Sequence, residues 1–441
     1  MGAVMLARMQ FALTVGFHFL FPPTTFALTL CIVLLEGHHL RSGRELSREI
    51  SAFLVKILGL VFVLGTATGI VMEFSFGNNW AQYSRLVGDV FGAPLAAEGV
   101  FAFFLESVFI GVLLFARDRV SKKTFFWSAF LVFFGAHLSG LWIIIANSWM
   151  QTPAGFAMEN GRAVLTDFLA AAFNPSTIIR YMHTIFSGWL TGSLLLAAIA
   201  AWFLLKNREQ AHARLLLKLT LAIVMAASFL QLATGHLHSV QVARTQPAKM
   251  AAFEGLWQTQ RKAPLALFAI PDEKNGRNRL FIGIPGMLSF LVHFDVQAEV
   301  TGLDRIPKDR RPPVLVTFAS YHVMIGLGML FLALAGLAML LWWRHKLDNS
   351  RWFLRLLLVA APLGYIATEF GWLAAEIGRQ PWAVYGVLRT AQAASVSVPA
   401  WQIALTLGLF VAVYFLLSIV AWKVLGKIIR TGIVSSGRQG Y

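Results

Sequence analysis

Gly371-Trp372-Leu373-Ala374-Ala375-Glu376-Ile377-Gly378-Arg379-Gln380-Pro381-Trp382 closes an apolar run that begins near Trp352. A run of that length can cross a bilayer as a helix, and Pro381 stops the helix from continuing. The window therefore falls where a membrane helix meets water. One acid, Glu376, stands at the helix end, and Arg379 follows three residues later. Ionisable groups at membrane depth are costly and usually functional. The plain alternative is an acid capped by an arginine at a lipid boundary, and the rest of the chain has to decide between them.

Composition sets the class. Of the 441 residues, 57% are hydrophobic and only 13% charged, and the mean hydropathy is +0.67. The chain reads as a polytopic membrane protein. Its single cysteine, Cys31, lies inside the first apolar run. That excludes disulfides and Cys-ligated zinc or iron–sulfur sites within the chain, and no Cys-x-x-Cys-His occurs to attach a c-type haem. The net charge of +16 is dispersed over loops, so it reads as membrane topology and not as nucleic-acid binding. The first apolar run, Phe11 to Leu35, is too long for a signal-peptide core and is expected to be a retained helix.

Apolar runs of spanning length fall at roughly 11–35, 53–73, 94–116, 124–147, 180–205, 215–235, 314–343, 353–376 and 402–424. The expected fold is an all-α integral membrane protein of about nine transmembrane helices. Lys and Arg crowd the loops after helices one, three, five and seven (for example Arg41, Arg44, Arg117, Lys122, Lys206, Arg208, Arg344 and Lys346). The C-terminal tail adds Lys423, Lys427, Arg430 and Arg438. Short segments on the other side hold only Arg8, Arg85, Arg162, Arg180, Arg379 and Arg389. The bias places the N-terminus outside and the C-terminus in the cytoplasm. Three regions are expected: helices one to six over 1–235, a long outer connection over 236–313, and helices seven to nine with the tail over 314–441. A connection that long is usually functional or disordered.

Few residues within the spans can carry chemistry. His18 lies on helix one before Pro22-Pro23, Glu98 and Glu106 on helix three, His137 on helix four, His183 on helix five, Met324 on helix seven and Glu376 at the end of helix eight. By the expected topology His18, Glu98, His183, Met324 and Glu376 share the outer half of the membrane, near the long connection. Histidine and methionine on different helices at similar depth can serve as axial haem ligands. Taken singly, a membrane histidine is more often an interhelical hydrogen bonder, and a methionine usually fills an apolar gap. Glu98 and Glu106 can face one polar channel, as a proton path or ion site, or can simply hold helices together.

With these residues in view, the chain resembles subunit I of the cytochrome bd-type quinol oxidases. The resemblance rests on Gly16-Phe17-His18-Phe19-Leu20-Phe21, Met72-Glu73-Phe74 with Asn79-Trp80, and the stretch Gly88-Asp89-Val90-Phe91-Gly92-Ala93-Pro94-Leu95-Ala96-Ala97-Glu98-Gly99. Phe104-Leu105-Glu106-Ser107, Asn147-Ser148-Trp149-Met150-Gln151 and the Gly-Arg-Gln-Pro-Trp of the opening window add to it. It implies two haem b groups and one further high-spin haem, either haem d or a third haem b. His183 and Met324 match the low-spin ligands, while His18 and Glu376 match the ligands of the high-spin pair, in an order left open. Glu98 matches a residue beside that pair and Glu106 one on the proton route. Lys249 and Glu254 match quinol-site residues of the outer connection, and Trp372 and Arg379 match residues flanking the haems. Where many members carry an arginine two residues before the haem methionine, this chain has His322. The short connection resembles the short-loop, cyanide-insensitive branch.

The resemblance implies quinol oxidation at the outer face, oxygen reduction with protons from the cytoplasm, and location in the bacterial inner membrane. It also implies a second large membrane subunit (subunit II), with a small single-helix subunit as an option. Quinol, oxygen and the lipid bilayer are the other expected partners, and nucleic acid is not. Two rival readings are a secondary ion transporter using Glu98 and Glu106, and a haem b membrane anchor for a dehydrogenase.

Overall fold

The computed structural model describes residues 2–434; Arg438, counted above with the basic tail, lies outside the described residues. Among the described residues, nine helical segments are long and apolar enough to cross a membrane. In order they are Ala3–Ser42, Glu45–Asn78, Pro94–Phe115, Lys122–Gln151, Thr177–Leu205, Gln210–Thr245, Val314–Trp343, Arg351–Ile377 and Ala400–Thr431, called spans one to nine. Each expected helix is present, and most extend past their apolar run. A helix needs apolar residues only where it meets lipid, so polar turns continue it into water. The largest such extension is span six, expected to stop at 235, which runs on to Thr245. It ends there because Gln246 precedes Pro247, a position that disfavours the helical region.

Span five is the centre of the bundle, with 78% of its most apolar window buried, against 11% for span nine. It packs on spans one, six and eight. Small residues make that approach possible. A Cβ on Gly188 would lie 2.6 Å from Phe26 Cδ2, and one on Gly192 would lie 2.5 Å from Ala27 Cβ and 2.6 Å from the Pro23 carbonyl oxygen. This is the small-residue contact on which membrane helices rely where lipid removes the hydrophobic drive between them. Span one is itself broken: its first helix ends at His18 and the second begins at Phe21, with prolines at its first turn.

The two ends of the bundle differ. At one end the connections are short and ion-paired, by Glu36 with Arg117 (2.8 Å), Glu49 with His212 (2.7 Å) and Arg214 with Asp348 (2.8 Å). The other end carries residues 246–313 and is called the loop side. The long connection is folded. A short helix, Pro247–Phe253, is followed by an antiparallel hairpin of Leu265–Asp272 with Arg277–Ile284 and a second short helix, Met287–His293. The charged stretch Asp272-Glu273-Lys274-Asn275-Gly276 is the hairpin turn, where Gly276 takes a left-handed conformation (φ 60°). A second hairpin, Phe156–Glu159 with Arg162–Leu165, joins spans four and five on the same side.

If the Gly192 contact sets the spacing of spans one and five, Gly192→Leu should cost about 1–3 kcal/mol or more through overpacking. Its thermal unfolding midpoint in detergent should fall well below that of the parent. Gly336→Ala, where nothing lies within 4 Å, should leave the midpoint unchanged.

Candidate functional site

Three side chains donate to the Glu376 carboxylate at the loop-side end of span eight. Asn147 Nδ2 (3.0 Å) and Gln151 Nε2 (3.3 Å), one turn apart on span four, reach Oε1, and Arg379 Nη2 reaches Oε2. Around this shell, Arg180 of span five donates to Asn147 Oδ1, and Lys249 Nζ donates to Gln151 Oε1 at 2.5 Å. Gln246 Nε2 adds bonds to the Gln151 carbonyl (2.6 Å) and Oε1 (3.1 Å). Two arginines and a lysine thus share one carboxylate, and all three cations are buried. Arg180 Nε and Arg379 Nε and Nη1 are buried with no protein partner. Unpaired buried cation groups are strongly destabilising, so this shell as folded calls for further anionic acceptors. A carboxylate offers about four lone-pair sites; three are used here, and one direction remains for a metal.

His18 and His183 are held by the same device on different helices. His18 Nδ1 lies 3.0 Å from Thr68 Oγ1, and that hydroxyl donates to the Leu64 carbonyl (2.8 Å). His183 Nδ1 lies 3.2 Å from Thr234 Oγ1, which donates to the Leu230 carbonyl (2.8 Å). Each hydroxyl has spent its proton, so each imidazole places its own on Nδ1 and leaves Nε2 as a lone pair. This is the second-shell arrangement that orients a metal-binding histidine. Glycines let both rings lie against the neighbouring span: a Cβ on Gly69 would be 3.1 Å from His18 Cε1, and one on Gly235 would be 3.3 Å from His183 Cε1. The Nε2 of His183 faces Gln231 Nε2 at 3.0 Å, and the Gln231 Oε1 is buried without a partner. Met324 sits against span eight at Gly371, where a Cβ would lie 2.9 Å from its sulfur. That contact explains a glycine just before Trp372, which is half-buried one turn ahead of Glu376.

Glu98 and Glu106 both turn to span four. Ser139 donates to Glu98 Oε1 at 2.7 Å, and a Cβ on Gly135, one turn away, would lie 3.4 Å from Glu106 Cβ. Between the two acids the helix opens into a π-turn, Glu98–Phe103, just after Pro94; such turns gather at functional sites. Glu106 is buried. His137 is fully satisfied: Nε2 accepts from Trp189 Nε1 (2.9 Å) and Nδ1 donates to the Phe133 carbonyl (2.7 Å). It reads as a packing residue.

The connection contributes Lys249 and Glu254, both buried at the ends of one short helix. Burial, reinforced by the Arg180 and Arg379 cations, holds the Lys249 ammonium well below the usual lysine range. Burial pushes the Glu254 carboxyl up to about 8, although the Ala266 N–H that donates to it (2.9 Å) pulls the other way. His322 reaches the same strand. Its Nε2 lies 3.0 Å from the Ala266 carbonyl and its Nδ1 3.0 Å from the Phe318 carbonyl. A neutral ring can donate to only one of these two carbonyls.

Several members of this site are invisible as single letters in the sequence. Thr68, Thr234 and Gln231 are ordinary polar residues of membrane helices, and only their distance to a histidine marks them. Arg180 counts in the sequence merely as a loop-side charge. Glu369 carried a signal that the sequence reading passed over, an acid inside an apolar run. Its Oε1 is buried without a partner, and its Oε2 lies 3.4 Å from where a Cβ on Gly16 would stand.

The chain matches the family model for cytochrome bd terminal oxidase subunit I over residues 6–433. It is 39% identical over 432 residues to the cytochrome bd ubiquinol oxidase subunit 1 of Bacillus subtilis (strain 168), covering 95% of this chain and 91% of that one. It is 34% identical to the cytochrome bd-II ubiquinol oxidase subunit 1 of Escherichia coli (strain K12), covering 97% and 96%. The solved bd oxidase of Geobacillus thermodenitrificans superposes with a TM-score of 0.90 at 31% identity, over 97% of this chain and 98% of that one. On a match of this length and depth, the chain belongs to the cytochrome bd terminal oxidase subunit I family.

Proposed function

We infer that this chain is the haem-bearing subunit of a terminal respiratory quinol oxidase, a multi-pass protein of the bacterial plasma membrane that works in a complex with a subunit II. The family sets aside the ion-transporter and dehydrogenase-anchor readings. What carries the assignment of roles is one amide: Gln151 bonds both Lys249 of the connection and Glu376 of the bundle. The quinol-side residue and the iron-side residue are therefore one hydrogen bond apart from a common partner.

The residues fit haem. In this reading His183 and Met324 would hold a low-spin haem b, and His18 and Glu376 would hold a high-spin pair, one haem b with haem d or a further haem b. The unpartnered N–H groups of Arg180 and Arg379 are suited to haem propionates, with Trp372 packed nearby. His322, with both nitrogens facing carbonyls of the connection and of its own helix, would act on the low-spin site by tying the hairpin to span seven two residues before Met324. Bound haem would supply one-electron chemistry and the site of oxygen reduction.

The quinol site is assigned to the long connection, and the Lys and Arg excess in the short loops at the opposite end supports an outer position for it. A lysine with a lowered pKa can offer a neutral amine to a quinol hydroxyl, and Glu254 accepts the proton when ionised. Protons for oxygen reduction are assigned to Glu106 and then Glu98, with Ser139 orienting the latter. Subunit II is joined in this scheme by an optional small single-helix subunit.

The test is oxygen uptake by the purified complex with quinol as sole donor, alongside reduced-minus-oxidised spectra. His183→Ala or Met324→Ala should remove the low-spin haem band and quinol-driven uptake; a retained band in either variant overturns the ligand pair. Because the Glu254 carboxyl is protonated below about 8, it cannot accept a proton there. Quinol kcat/KM should rise with pH towards a plateau above that value, and Glu254→Gln should flatten the rise and lower the rate about 100-fold. Thr234→Val removes the acceptor for His183 Nδ1–H and should weaken haem retention about 10–100-fold, measured as haem loss to apomyoglobin, with Thr220→Val as the remote control.

A further inference from the structure

Two contacts fix the depth of the folded connection against the spans. Counting about twenty residues of hydrocarbon from Trp343 brings the loop-side boundary on span seven to the neighbourhood of His322, whose Nε2 bonds the Ala266 carbonyl at the hairpin root. On span six, Arg214 and Lys218 mark the opposite end, and the same count from Leu219 reaches His238. His236 thus lies just inside the boundary, and the Phe294 ring packs edge-on against it with centroids 5.5 Å apart. The hairpin root and the segment after the second short helix therefore sit level with the edge of the acyl layer. Gly286, beside Val296 (2.8 Å from a Cβ there), joins the two into one surface.

The exposed residues of that surface are mostly apolar, with Lys262, His293, Asp295 and Gln297 exposed among them. Phe268, Ile282, Ile284, Phe290, Phe294 and Val296 are all exposed, Phe294 by 61% and Ile282 by 53%. Polarity follows height: the turn farther up, near Leu315 of span seven, carries Glu273, Lys274, Arg277 and Arg279, with Glu273 bonded to the Leu315 N–H (3.0 Å). The acid in the apolar stretch, Asp295, is folded into a local turn with the Gln297 N–H (2.8 Å). A water-facing hairpin would have one apolar and one polar face; this one is mostly apolar on exposed residues at its root and charged at its tip.

We propose that the hairpin root and the Phe290–Val296 segment rest in the lipid of the loop-side leaflet, as an interfacial wedge anchored to spans six and seven. The apolar residues meet acyl chains, and the charged turn meets headgroups and water, the distribution that interfacial elements adopt. The occupant is lipid, and the inference stands whichever face of the membrane the loop side occupies.

Nitroxide labels in the assembled oxidase, reconstituted into phosphatidylcholine–phosphatidylglycerol nanodiscs, test it. Cys31 is buried, so Phe294→Cys, Ile282→Cys and Lys274→Cys are the labelled sites of this chain, with the unsubstituted complex as the background. Retention of the low-spin haem spectrum checks that each variant is folded. Collision with oxygen should exceed collision with a neutral nickel chelate several-fold at Phe294→Cys and Ile282→Cys, and the order should reverse at Lys274→Cys. Nickel access at the first two sites equal to that at Lys274→Cys would show a water-facing surface and overturn the proposal. Exclusion of both reagents there would show a protein partner in place of lipid and overturn it as well.

Discussion

Glu376 lies among Arg180, Arg379 and Lys249, and charge at that depth persists only where every donor and acceptor finds a partner, because the surroundings screen poorly. The amides of Asn147 and Gln151 meet part of that demand by donating to the carboxylate and accepting from Arg180 and Lys249, while Arg180 Nε and Arg379 Nε and Nη1 stay without a protein partner. Asn147 and Gln151 are one helical turn apart, so a single face of span four serves both. Span four can do this only if spans five and eight bring Arg180 and Glu376 to the same level; Gly364, where a Cβ would lie 3.2 Å from Thr191 Cα, lets those two spans meet, and Gly192 seats span five on span one. The polar site and the close helix packing are thus one design: the glycines set the positions and the charges need them.

The histidines obey a milder form of the same demand. A buried neutral imidazole has one donor and one acceptor, and in His18 and His183 the donor is spent on a threonine whose own proton goes back to its helix. His137 spends both, on Trp189 and on Phe133. His18 thus keeps its Nε2 free, whereas the Nε2 of His183 faces the Gln231 amide, so the neighbours and not depth alone decide what each histidine offers.

The nine spans were legible because lipid demands about twenty apolar residues in a row, and this chain supplies them in long runs. Helix ends were less legible, as span six shows, since its last ten residues are helical without being apolar. Glu376, His18, His183 and Met324 stood out as polar or thioether groups at matching depth, aided by the resemblance. Their supporting shell did not, because Thr68, Thr234 and Gln151 gain meaning only from contacts between residues far apart in the chain. The long connection was the least legible part. Its length marked it only as functional or disordered, whereas a left-handed Gly276 and paired strands make part of it a folded hairpin.

Gln151 has only one side-chain amide, and it serves the Lys249 amine and the Glu376 carboxylate on two different structural units. Occupancy on either side must then be felt on the other as a change in free energy. Thermodynamic linkage makes that influence symmetric: whatever factor a ligand bound beside Lys249 applies to affinity at Glu376, a ligand at Glu376 returns in full to the Lys249 side. Two groups that share a hydrogen-bonding partner are not independent, so a substitution at Lys249 is expected to be felt at Glu376 and the reverse.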